Sequence, residues 1–241
     1  PSDAAVARVV VQHLPDCVGQ ERFALVACVD HESRMSSREL LKACARAGRL
    51  PDLKVELQPK APLLESQLRA LAQAGPAAIL VAAPAEDAAR IVRGVSQHIP
   101  GLRIYGTAAM GRSAFREDAG ETAETVRFPL LENTGPCATP SGSSFRKACL
   151  AETGSEPDYT AVLTYDATRL LLDAIAQAGP NRARIREALA RLSPWTGMAG
   201  EVSFDGTGQN TRANLVMCTW RAGRAVPLTP ASLARNLNST P

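Results

Sequence analysis

The stretch "SQLRALAQAGPAAILVAAPAEDAARIVRGVSQHI", Ser66 to Ile99, decides the fold. Its centre, Ala77 to Ala83, is an unbroken apolar run of strand length, and such a run marks a strand covered on both faces. Before it, Leu64, Leu68 and Leu71 recur on one helical face and stop at Gly75; after it, "EDAARIVRGVSQHI" has the periodicity of a helix. Helix, doubly covered strand and helix together form a piece of parallel sheet joined by right-handed crossovers.

The same unit recurs on either side. Upstream, "ERFALVACVD" carries an apolar run from Phe23 to Val29, "SSRELLKACARAG" is an amphipathic helix ending at Gly48, and "KVELQ" alternates as a strand. Downstream, "RIYGTAA" gives a fourth strand and "ETVRFPLL" a fifth. The pattern predicts an α/β fold, a parallel sheet flanked by helices, with strands near 23–29, 54–58, 78–83, 103–107 and 125–129.

After Pro129 the character changes. Leu130 to Ser144 is rich in Gly, Pro, Ser and Thr and reads as a connection. Three helices follow: "SSFRKACLAETG", "DYTAVLTYDATRLLLDAIAQAG" and "NRARIREALARLS". In the second, Asp158 is placed to cap the start and Gly179-Pro180 to stop the end. Val162, Leu163, Leu170, Leu171, Ile175 and Ala178 recur at helical spacing and predict burial on more than one side. Tyr159 and Tyr165 then either pack their rings or cover a ligand. Strands return at Val202 and Phe204, before the turn "DGTGQN", and at Leu215, Met217 and Thr219, read together as a hairpin-like pair.

Composition narrows the function. The chain has 241 residues, 45% of them hydrophobic, and a net charge of +3, enough for a sizeable core in one or two domains. Its arginines are scattered and its aromatics, at 4%, do not interleave with them, so a nucleic-acid partner is not expected. No apolar run approaches the roughly 20 residues of a membrane span, and no basic-then-apolar leader opens the chain. The six cysteines, Cys17, Cys28, Cys44, Cys137, Cys149 and Cys218, have no zinc-ligand spacing. Cys28, Cys44 and Cys218 read as buried apolar residues, whereas Cys17 and Cys137 lie in loops where disulfides are common; pairing and redox compartment stay open. GxSxG, GxGxxG and GxxxxGK[ST] are all absent, so neither turnover, cofactor nor metal is expected. His13 and His98 fall in last turns of helices, and His31 follows the first strand, where open α/β sheets bind ligands.

Read together, "EPDYTAVLTYDATRLLLDAIAQAG", "RIREALARL", "GMAGEVSFDGTGQN" and "LVMCTWRAG" resemble the C-terminal half of type I periplasmic solute-binding proteins of the leucine/isoleucine/valine-binding family. "FALVACVDHESRMSSRELLKACARAG" resembles the opening of that family's second lobe, and the agreement runs collinearly from about Phe23 to Gly223. Nothing matches the family's opening strand and the first half of its first lobe. The resemblance therefore implies that residues 1–127 form most of the second lobe, 128–212 the returning helical part of an incomplete first lobe, and 213–241 a last strand rejoining the second lobe and a tail.

It also implies a site. The ligand would lie between the lobes against His31, Glu32 and Ser33 after the first strand, Pro84 and Ala85 after the third, and Thr107 and Ala108 after the fourth, with Tyr159 facing it. Tyrosines common in the family correspond here to Glu32 and Pro84, and the acid that pairs a ligand's ammonium corresponds to Ala108. An α-amino acid would then need Glu32 as its charge partner, because a buried ammonium left unpaired is costly. The implied function is a non-catalytic receptor in the periplasm or another extracytoplasmic space. It would deliver a small organic ligand, such as a branched-chain amino acid or related carboxylate, to the membrane permease of an ATP-driven ABC importer. A ligand-sensing domain of a regulator is the alternative, and a hydrolase or transferase using Glu32 and His31 is a third reading. With one wall of the site unmatched, the chain alone is expected to bind its solute weakly or not at all. Apolar surface on the helices of 141–192 is expected to favour self-association through the incomplete lobe or pairing with the absent segment.

Overall fold

Five apolar segments become parallel strands in the computed structural model, which describes residues 2–18, 22–132 and 140–228. They are β1 (Phe23–Cys28), β2 (Leu53–Leu57), β3 (Ala78–Ala82), β4 (Arg103–Gly106) and β5 (Val126–Leu131), and each begins and ends within two residues of its expected position. Between them lie α2 (His31–Arg46), α3 (Glu65–Ala74), α4 (Ala85–His98) and α5 (Ser113–Ala119), with α1 (Asp3–Val18) ahead of β1. The sheet runs β2-β1-β3-β4-β5-β8-β9, where β8 (Leu215–Arg221) and β9 (Arg224–Pro227) form an antiparallel hairpin. Register pairs Ala24 with Leu53, Phe23 with Ala78, Ala78 with Arg103 and Ile104 with Val126.

Both faces of the central strands are covered. On one, Leu25, Leu80 and Tyr105 pack with Val10 and Leu14 of α1 and Leu40 of α2 in a single buried cluster. Ala24, Val26, Ile79, Val81 and Ile104 alternate with these residues and are equally buried, pointing towards α3 and α4, whose Leu68, Leu71, Ile91, Val92 and Val95 are buried as well. At the far side of the sheet, the Trp220 indole donates to the Met110 carbonyl at 2.8 Å and tilts against Phe128, tying β8 to the turn after β4.

The described chain divides into two compact units, Ser2–Leu130 with Val216 onward, and Leu131–Leu215. The second holds α6 (Pro140–Thr153), α7 (Tyr159–Ala178), α8 (Arg182–Arg191) and a two-stranded sheet of β6 (Trp195–Gly197) and β7 (Gly200–Val202). Asp158 caps α7 by accepting from the amides of Thr160 and Ala161 at 3.0 and 3.2 Å. Buried Asp166 accepts from Met198 N at 2.9 Å and Ala199 N at 2.8 Å, so one carboxylate holds the β6–β7 turn against α7.

Three expectations are corrected. The segment at Val202 pairs with Trp195 in β6 and not with the strand from Leu215, which pairs with β9; Phe204 reaches only Asn210 across the "DGTGQN" turn. Helix α7 buries a single stripe, Val162, Asp166, Leu170 and Ala174, and leaves Leu171 44% and Leu172 54% exposed. His13 lies before the last turn of α1, which continues to Val18.

Two glycines give opposite responses to alanine. A Cβ on Gly197 would stand 2.5 Å from Asp166 Cγ and Trp195 Cζ3, whereas one on Gly94, inside α4, meets only Leu63 at 3.7 Å. In urea unfolding, Gly197→Ala is expected to lower the stability of residues 131–215 by about 2 kcal/mol or more, and Gly94→Ala to raise stability by roughly 0.5–1 kcal/mol.

Candidate functional site

The order β2-β1-β3 decides where a ligand can sit. From β1 the chain moves outward to β2, while from β2 it returns across β1 to β3 and continues to β4 and β5. The helices therefore leave β1 and β3 towards opposite faces and open a crevice between the C-terminal ends of these two strands, the switch point at which open α/β sheets take ligands.

The expected residues of this unit gather at that edge. His31, Glu32 and Ser33 follow β1, Pro84 and Ala85 follow β3, and Thr107 and Ala108 follow β4. They are not loop residues, however. His31–Ser33 are the first turn of α2, Pro84 is the N-cap and Ala85 the first residue of α4, and Thr107 caps a short 3-10 helix, Ala108–Gly111. Helix starts turn amide groups towards the crevice, and the side chains differ in access. His31 and Glu32 are exposed and Pro84 and Ala108 half-buried, while Ser33, Ala85 and Thr107 are buried. Thr107 Oγ1 already accepts from Ala109 N at 3.4 Å. Tyr159, in the other unit, is the half-buried first residue of α7, and its companion Tyr165 packs its ring 5.0 Å from that of Phe145.

Sequence reasoning missed Asp30. It is the N-cap of α2, where Oδ1 accepts from Ser33 N at 3.0 Å and Oδ2 is buried with no hydrogen-bond partner. Burial pushes its carboxyl up, but the hydrogen bonds from Ser33 outweigh this and hold it below the ordinary 3.8. The same surroundings push the Cys28 thiol up to about 11, through burial first and Asp30 second. The available signal was an aspartate directly before a helix, a capping position.

A second concavity lies wholly within residues 131–215, a hollow of about 560 Å³ walled by Leu163, Leu170, Trp195, Val202 and Phe204. None of the expected site residues lines it. Its charged rim is matched internally: Arg212 Nε lies 2.9 Å from Glu201 Oε1, and Asn214 donates to Glu132. The hollow thus presents a largely apolar wall with a polar rim. Among the described residues no group of three His, Cys, Asp or Glu side chains is placed to hold a metal, and no helix is long and apolar enough to cross a membrane.

The Asp30 cap carries a pH signature. Asp30→Ala is expected to cost about 1 kcal/mol in urea unfolding at pH 7. Because the folded carboxyl titrates below its ordinary value, its contribution is present above that value and is lost as pH falls through the folded one. The difference between the variant and the parent should therefore shrink below about pH 4.

Comparison with known proteins agrees with this architecture. The periplasmic binding protein family model matches residues 1–225. Among solved structures, a leucine-binding protein from Thermotoga maritima superimposes with a TM-score of 0.81 at 21% identity, covering 94% of this chain and 65% of that one. A solute-binding protein of an ABC transporter from R. palustris, in complex with benzoate, gives a TM-score of 0.77 at 16% identity, with 94% and 62% covered. A branched-chain amino acid transporter substrate-binding protein from Streptococcus pneumoniae, in complex with isoleucine, gives 0.76 at 18%, with 94% and 66% covered. No curated protein matches the sequence. The chain thus spans less than two thirds of the Thermotoga protein's length, and the likeness to these structures is one of fold. With the family model matched over nearly its whole length, the chain belongs to the periplasmic binding protein family.

Proposed function

We propose that this chain is part of an extracytoplasmic, non-catalytic solute receptor that passes a small organic ligand to the membrane permease of an ABC importer. The observation that carries the reading is the meeting of the family match with the β1/β3 switch point, where His31, Glu32, Pro84 and Ala108 stand accessible. Ser33, Ala85 and Thr107 form the backing of that wall, and Tyr159 is proposed as an aromatic contact. Two of the similar solved structures hold isoleucine and benzoate, and these support a branched-chain amino acid or a related carboxylate as the ligand class of this reading.

Calorimetric titration with leucine, isoleucine and benzoate tests this. Binding weaker than about 100 μM is expected, since one wall buries little of a small ligand, and Glu32→Ala and Tyr159→Ala should each weaken it about threefold or more. Absence of heat with all three ligands at millimolar concentration would overturn the carboxylate reading. Micromolar binding unaffected by either substitution would place the site elsewhere.

The thiols favour a second reading, a ligand-sensing domain of a regulator in a reducing compartment. Cys28, Cys44, Cys149 and Cys218 are unpaired, and burial pushes Cys28, Cys44 and Cys218 up to about 11. Of the bridge candidates, Cys17 lies in α1 and not in a loop, with its side chain outside the described residues, and Cys137 lies outside them altogether. Thiol titration of the natively produced protein in denaturant separates the readings: four titrating thiols support export, and six support the regulator.

A further inference from the structure

Helix α8 concentrates positive charge on a unit that is otherwise acidic. Of the eight Lys and Arg residues between 131 and 215 it carries four, Arg182, Arg184, Arg186 and Arg191, and of the nine Asp and Glu residues it carries only Glu187. All four arginines are exposed. Elsewhere in the unit Arg146 is matched by Glu156 and Arg212 by Glu201. On α8, Arg191 has Glu187 at 3.9 Å, but among the described residues no ion pair reaches Arg182, Arg184 or Arg186. Two of these arginines also oppose the local field. Arg182 and Arg184 stand in the first turn, which holds no acidic residue, although the amide end of a helix disfavours cations. Nothing in the packing of α8 rewards cations there, whereas an anionic surface outside the chain does.

We propose that α8 lies with its outer arc on the headgroups of an anionic lipid bilayer. Ala188 is buried and Ile185 and Leu189 are half-buried, which marks the inner side of the helix. At 100° per residue, Arg182 with Arg186 and Arg184 with Arg191 then stand on the two flanks of the exposed arc, with Ala183, Glu187 and Ala190 between them. Long arginine stems let guanidinium heads on the flanks of a helix bend to the surface beneath it, and their forked donors take phosphate oxygens two at a time. This layout suits a bilayer better than an acidic protein. Protein partners are held by aromatic or apolar anchors seated in pockets, and this arc offers none between its arginines. Mobile lipid headgroups gather around charges spread over two flanks, where a protein would need carboxylates fixed at the same spacing. No helix among the described residues is long and apolar enough to cross a membrane, so the contact is peripheral and electrostatic. It holds whichever solute the chain binds.

Co-sedimentation of the whole chain with sucrose-loaded vesicles reads the contact directly. With equal parts phosphatidylcholine and phosphatidylglycerol at about 50 mM salt, half of the chain should be bound at roughly 1–10 mM lipid, since each arginine near such a surface strengthens binding about fivefold. Salt at about 500 mM should release it, and phosphatidylcholine alone should leave it in solution. Arg182→Gln, Arg184→Gln and Arg186→Gln together should weaken binding at least about thirtyfold. Glutamine keeps the helix propensity of arginine, so the unfolding curve of this variant should not fall below that of the parent. Arg8→Gln, Arg38→Gln and Arg46→Gln remove the same charge from exposed positions of the other unit and should change binding less than about twofold. A parent chain that ignores anionic vesicles, or that binds uncharged ones equally, would overturn the proposal, as would a triple α8 variant that binds like the parent. Retention on poly-glutamate through the α8 arginines, with the vesicles left bare, would overturn it in favour of an acidic polypeptide.

Discussion

Covering both faces of β3 is the constraint from which the main sheet follows. Ala78 to Ala82 are at most 1% exposed, although none of the five side chains is larger than leucine. Burying them requires a helix layer above and another below, and the chain can supply both only if some crossovers run one way across the sheet and some the other. The reversal falls between β1 and β3. The crevice there results from wrapping a doubly buried strand, and the residues around it are helix starts because β1, β3 and β4 each hand over to a helix within two residues.

In the unit of residues 131–215 a single carboxylate has the comparable role. A two-stranded sheet is marginal by itself, and β6–β7 persists because Asp166 accepts both amides of its turn from beneath. Gly197 leaves the space that the carboxylate enters. The "YDA" and "GMAG" motifs, separated by some thirty residues, are thus two halves of one contact.

How legible the molecule was depended on where apolar side chains carried the signal. Four of the parallel strands could be read because their burial is nearly continuous, and β2 because Lys54, Val55, Glu56 and Leu57 alternate between exposed and buried. The start of α2 could not: its buried stripe begins with Ser33 and Ser37 before it reaches Leu40 and Cys44, so the apolar period starts two turns late and His31–Ser33 looked like a loop. β6 and β9, with three and four residues, are too short for any periodicity, which is why Val202 was matched to the wrong partner. For α7 the pattern predicted burial on more than one side, whereas the helix buries a single stripe, because a pattern records what a face is suited to and not what lies on it. At the site, the sequence located the strand ends; that Ser33, Ala85 and Thr107 would be buried while His31 and Glu32 stayed open depended on helix geometry that only the coordinates contain.

Glu132 N donates to the Asn214 carbonyl at 2.9 Å, and β5 and β8, which lead out of and back into the main sheet, are neighbours in it. Everything between them is therefore topologically an insertion at a single point of an otherwise continuous α/β layer. Such an arrangement is modular: a tight turn joining Leu131 to Leu215 would restore an uninterrupted chain without breaking a strand pairing of the main sheet. The same point would accept a foreign domain whose own termini lie close together. The larger unit is in this sense a chassis, and the smaller one an exchangeable attachment.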